Sequence, residues 1–158
     1  MALTADKLVG LQSSTRDAKA VTVGNGLTLN ANNLSSVRTE TLLFKQNGLI
    51  GVITRMDGSV VMNRAGTIIS VRGYRLTAGG TGGSTLVDVN INGTTIFTTQ
   101  ANRLTFLQSG GSSLPAQSGT IDGTATFAAG GIISVDVDAI ETGTIPEDLC
   151  VAVEVSYI

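Results

Sequence analysis

The chain has 158 residues, with 10 Lys and Arg against 12 Asp and Glu, a formal net charge of −2 and no histidine. That length suits one domain with a sizeable core. The scattered cations supply no cluster able to displace counterions from phosphates, which argues against a nucleic-acid partner, and the missing imidazole excludes Ser-His-Asp, Cys-His and the usual zinc arrangements.

Charged residues make up 14% of the chain, against about a quarter in a typical soluble domain. Part of its apolar surface is therefore expected to be covered by something else, and further copies of the same chain are the simplest cover.

Residues 1–40 are small and polar with short apolar islands, and predict an extended N-terminal arm. Leu3, Leu8, Val9, Leu11, Val21, Val23, Leu27 and Leu29 are its candidate anchors. Such a segment cannot bury its own hydrophobes, so it would pack on its domain, a neighbour or another protein. The opening MALTADKLVGLQ lacks the basic start and apolar run of a secretion signal. No apolar run approaches the roughly 20 residues that span a bilayer, so no membrane partner is expected.

From residue 41 the pattern becomes strand after strand: LLFKQ, Asn47-Gly48, LIGVITR, Asp57-Gly58, SVVMN, then TIISVRGYRLT. The glycine-rich AGGTGGS follows; it lacks the Gly-Lys-Ser/Thr and helix of a phosphate-binding loop and predicts a mobile connection. After the ribbon STLVDVNINGTTIFTT and the long loop QSGGSSLPAQSGTIDG come TATFAA, GIISVDVDAI and LCVAVEVSYI. Short alternating segments between glycine turns predict an all-β fold, a jelly-roll-like antiparallel β-sandwich over residues 41–158 with about eight core strands.

Within the ribbon, DVNING matches the opening of a calcium loop. Its twelfth position, counted from Asp88, is Thr99, which cannot give the bidentate grip that such a loop needs. A hairpin accounts for more, because Asn92-Gly93 suits a type I′ turn. Pairing outward sets Ile91 opposite Thr94, Val89 opposite Ile96 and Asp88 opposite Phe97. Val87, Val89, Ile91 and Ile96 then share the core face, while Asp88 and Asn90 face solvent or a neighbouring loop.

Asp136 and Asp138, with Glu141 close behind, are the candidate carboxylates for glycoside hydrolysis or a weak surface calcium site. Alternation opposite Ile133, Val135 and Val137 explains them more simply as an outward polar face. Cys150 reads as a small buried hydrophobe, and Arg72 with Arg75 as solvated surface. No catalytic, metal or cofactor residue is expected. LCVAVEVSYI and TIISVRGYRL are apolar on both faces, which suggests contacts beyond one sandwich. Ile68, Tyr74, Leu76, Ala152 and Ile158 are the candidate oligomer interface.

The order GTIISVRGYRLTAGGTGGSTLVDVNINGTTIFTT, TFAAGGIISVDVDAI, GTIPEDLCVAVEVSYI resembles the jelly-roll capsid cement, or decoration, proteins of tailed bacteriophages and related head-fibre and tail-fibre domains. The likeness covers about residues 66–158, with a gap at 100–123. It implies a non-enzymatic structural virion protein, made in the host cytoplasm. It further implies a homotrimer on the capsid exterior that clamps neighbouring major capsid protein subunits. The alternative from the same likeness is a fibre or host-surface glycan-binding module.

Overall fold

The computed structural model describes residues 27–30, 33–36, 38–107 and 117–157, with side chains from Arg38 onward. The chain divides into two compact units, Met1–Val37 and Arg38–Ile158. In the first, β1 (Leu27–Asn30) and β2 (Asn33–Ser36) pair antiparallel, with Leu27 opposite Ser36. Leu27 and Leu29 therefore fall on the backbone of β1. Leu3, Leu8, Val9, Leu11, Val21, Val23 and Ile158 lie outside the described residues.

The second unit is all-β, a jelly-roll-like antiparallel sandwich of two five-stranded sheets. One sheet holds β3 (Arg38–Leu49), β5 (Gly66–Thr77), β9 (Gln117–Ser118), β10 (Thr126–Phe127) and β12 (Glu147–Tyr157). Its order is β10-β5-β12-β3, with β9 also on β5. The other holds β4 (Ser59–Val61), β6 (Ser84–Ile91), β7 (Thr94–Thr95), β8 (Leu104–Leu107) and β11 (Ile132–Ala139). Its order is β4-β11-β6-β7, with β8 on β6. We refer to them as the β12 sheet and the β6 sheet.

Period-two alternation builds the core. Leu149, Val151, Val153 and Val155 of β12 are buried, as are Val87, Val89 and Ile91 of β6 and Ile133, Val135 and Val137 of β11. Phe44, Phe97, Leu104 and Phe106 complete the packing. Each such side chain contributes about 1.5–3 kcal/mol when fully buried.

The β6–β7 hairpin forms as expected. Asn92 and Gly93 adopt φ of 52° and 79°, the type I′ signature. Ile91 stands opposite Thr94 and Asn90 opposite Thr95, and the Ile96 amide donates to the Val89 carbonyl at 3.0 Å.

Asn47-Gly48, the same dipeptide, makes no turn. β3 runs straight through it, and the pairing with β12 slips between Glu147 and Leu149. Gly48, at φ 72°, is therefore part of a β-bulge, and its amide donates to Asp148 Oδ1 at 2.6 Å. LIGVITR likewise makes no strand: after β3 ends, Ile53 forms only an isolated bridge to Val137.

A second bulge corrects the face assignment of β5. Glu154 pairs with Ser70 but Val155 pairs with Ile68, so Ile69 is an extra residue. Alternation reverses there, and Ile68 and Val71 both turn inward. Ile68, expected at an oligomer interface, is a core residue at 2% exposure.

Candidate assembly surface

The outer face of the β12 sheet is built in rows across three strands. Cys150 lies between Lys45 and Tyr74, Ala152 between Leu43 and Arg72, and Glu154 between Thr41 and Ser70. Cys150 and Ala152 are half-buried, so the thiol is not the core hydrophobe expected. The central strand carries the shorter side chains in the first two rows, leaving a shallow trough. Large apolar side chains stand on its flanks: Leu43, Ile69, Tyr74 and Leu76 are all 42% exposed or more. The structure thus places Tyr74, Leu76 and Ala152 on one outward face and removes Ile68 from it.

β3 is the edge of this sheet, pairing with β12 alone. The Lys45 amide donates to Asp57 Oδ2 at 3.1 Å, so it points away from β12. Period-two alternation directs the N–H and C=O of Thr39, Thr41 and Leu43 the same way. Among the described residues nothing pairs with that three-residue edge. Asp57 caps it at one end only.

Between the edges of the two sheets lies a cleft of about 320 Å³, walled by Arg38, Glu40, Leu42, Val60, Arg64 and Tyr157. Its lining joins apolar Leu42, Val60 and Met62 to two arginines and the Glu40 carboxylate. The Tyr157 hydroxyl donates to Glu40 Oε2 at 2.7 Å. That carboxylate raises the phenol's pKa, and burial adds to the shift.

The outer face of the β6 sheet is different. Asp88 and Asn90 were expected to face solvent or a loop, yet both are buried, at 8% and 7% exposure. Asp88 Oδ1 accepts from the Val89 amide at 2.7 Å and from the Thr95 hydroxyl at 2.6 Å. Burial raises its pKa against those two bonds. Asp136, directly opposite Asp88, accepts from the Arg55 amide at 2.7 Å and from Asn90 Nδ2 at 3.0 Å. Asp138 sits at a register slip of β11 and pairs with Arg103. Each carboxylate is thus engaged separately by protein donors.

Glu141 joins neither aspartate. It is buried and paired with Arg75, itself fully buried, which corrects the expectation of a solvated arginine. Thr85 Oγ1 donates to Glu141 Oε2 at 2.5 Å, and Arg75 Nη2 to the Leu107 carbonyl at 2.9 Å. The guanidinium lies 5.6 Å from the Phe106 ring centre. Burial pushes the Glu141 pKa up, but the bonds from Thr85 and Arg75 outweigh it and hold the group below the usual carboxylate range. With Thr85 of β6 bonded to both, the pair ties β5 of one sheet to β6 of the other. Among the described residues no group of three or more carboxylates and thiols is placed to hold a metal ion.

The glycine-rich connection packs over this pair instead of hanging loose. Gly80 N donates to the Thr144 carbonyl at 2.7 Å and Thr81 N to the Thr142 carbonyl at 2.9 Å. A Cβ on Gly79 would stand 2.6 Å from Glu141 Cβ, and one on Gly80 2.3 Å from Thr144 N. Glycine is needed at both positions for close approach.

Neither the pairing of Arg75 with a residue 66 positions away nor the cleft was anticipated from the sequence; the signal for Arg75 was its period-two match to Val71, opposite the outward Tyr74 and Leu76. Among the described residues no helix is long and apolar enough to cross a membrane. No family model, no curated protein and no solved structure matches the chain.

Proposed function

We propose that the protein is a non-enzymatic structural component of an assembled shell. In this reading it is a homotrimer on the exterior of a tailed-phage head, a cement protein that clamps neighbouring major capsid protein subunits. The outer face of the β12 sheet carries the reading. Short side chains at Cys150 and Ala152, flanked by exposed Leu43, Tyr74 and Leu76, suit packing against another flat surface. Leu43 and Leu76, 54% and 57% exposed, would each contribute about half of the roughly 1.5–3 kcal/mol of complete burial. Three copies joined in one trimer would combine modest shell contacts through effective concentration.

The test is native mass measurement followed by co-sedimentation with expanded phage shells. A trimer that pellets with shells is expected, and Ala152→Glu should lower both mass and pelleting. A monomer at every concentration that stays in the supernatant would overturn the reading. Tyr74, 42% exposed on the same face, favours a second reading, a fibre module that stacks on surface glycan. A clear saccharide hit on a glycan array would put that reading first.

A further inference from the structure

We infer that the open edge of β3 and the cleft beside it form a recognition site for one extended strand of a partner protein. That strand carries an aliphatic side chain and, four residues toward its C-terminus, an acidic one. The inference rests on the assembly reading above and names the contact a shell subunit would make.

Strand addition gains affinity from main-chain hydrogen bonds and specificity from pockets for alternate side chains. Both parts are present here. The edge groups of Thr39, Thr41 and Leu43 point away from β12, while Asp57 closes the ladder at Lys45. Side chains of Arg38, Glu40 and Leu42 face the cleft. In an antiparallel addition, alternate side chains of the incoming strand enter the cleft opposite those three residues.

Opposite Leu42, with Val60 nearby, the complementary group is aliphatic. Opposite Glu40, already bonded to Tyr157, it is a small polar group. Opposite Arg38 it is a carboxylate, because among the described residues the ion pairs engage Arg75 and Arg103 and leave Arg38 and Arg64 without one.

A second copy of β3 fits this edge poorly. Pairing two copies about Thr41 is the register that uses all three open residues. It would set Glu40 of the second copy against Leu42, which lines the cleft with Val60, and its Arg38 against the buried Phe44. Each placement removes a charge from water without a partner.

The probe is the peptide acetyl-SVTSTDS-amide, compared with acetyl-SVTSTKS-amide, followed by NMR and amide hydrogen exchange on the full chain. Saturable binding of the acidic peptide is expected, with slowed exchange at Thr39, Thr41 and Leu43. The lysine peptide should bind about tenfold more weakly for loss of one charge-assisted contact. Thr41→Pro should abolish binding and keep a native spectrum, because that N–H makes no bond to β12. Arg64→Glu, away from the edge backbone, should weaken the acidic peptide alone.

Equal binding of the two peptides would overturn the site, as would no saturation at about millimolar concentration, where even weak complexes form. So would slow exchange at the three amides before peptide is added. If dilution then released them, a second copy would be the occupant; if not, the chain itself would be. Peptide binding without shell co-sedimentation would leave the edge site standing and remove the shell reading. The reverse result would do the opposite.

Discussion

The outer faces of the two sheets make opposite use of the same alternation. On the β6 sheet the outward positions are Asp88, Asn90 and Asp136, each hydrogen-bonded within its own chain, Asn90 as donor to Asp136. On the β12 sheet they include Leu43, Tyr74, Ala152 and Leu76 beside Lys45, Arg72 and Glu154, with no covering element among the described residues. Polar groups with satisfied bonds fix a local structure; exposed apolar ones gain only when a second surface arrives. The contrast fits internal bracing on one face and the proposed assembly on the other, and substitutions can separate these roles.

The largest expected effect lies at the tie between the sheets. Glu141→Gln should cost about 3–5 kcal/mol, because Arg75 would keep its charge in a buried place without a counterion. Urea unfolding measures it, and replacing both partners by Leu and Met should recover most of the loss. The pH dependence has a defined sign. The Glu141 pKa is lowered by folding, so its contribution is present above the ordinary Glu value and lost as pH falls through the lower folded value.

Next comes Asp136→Ala, which leaves the Arg55 amide and Asn90 Nδ2 without their acceptor. It should cost about 1–2 kcal/mol in the same measurement, the mechanism being two lost hydrogen bonds, one of them from the buried Asn90. An equally large loss from Leu76→Ser, measured on protein at high dilution, would erase the distinction between the two faces.

Asp88 gives a smaller, pH-dependent effect of the opposite sign. Its pKa is raised above the ordinary Asp value by burial. The penalty is fully present above the folded pKa and relieved as pH falls toward the ordinary Asp value, where the native state takes up the proton first. The stability of the wild type relative to Asp88→Asn should therefore rise on mild acidification, as chemical denaturation at a series of pH values would read. Smallest of all in stability, within about 0.5 kcal/mol, should be Leu76→Ser and Tyr74→Ser. Their effect should appear in native mass and shell pelleting instead.

How much of this was legible depended on the range of the interactions. Asn92-Gly93 could be read from six residues, because its positive φ values and the alternating flanks are local. Asn47-Gly48 could not, because β12 pairs on both sides of it and turns the same dipeptide into a bulge. The inward rotation of Ile68 is likewise set by Val155 across the ladder, 87 positions away in sequence (155 − 68). Arg75 looked like surface because its partner Glu141 arrives on a distant loop. On the outer face of the β12 sheet, Tyr74, Leu76 and Ala152 could be read from alternation that the bulge leaves intact, while the open edge depended on knowing which strand ends the sheet.

One extra amino acid at Ile69 lets β5 change sides midway. Its first half packs the interior with Ile68, and its second half displays Tyr74 and Leu76 outward while sending Arg75 in. Shortening the strand by that single residue would exchange lining for cladding along the rest of its length, sending a tyrosine and a leucine toward the guanidinium's place and the guanidinium into water. A protein that evolves new docking chemistry on this sheet can therefore vary the residues after Ile69 freely only while the spacing before them stays fixed.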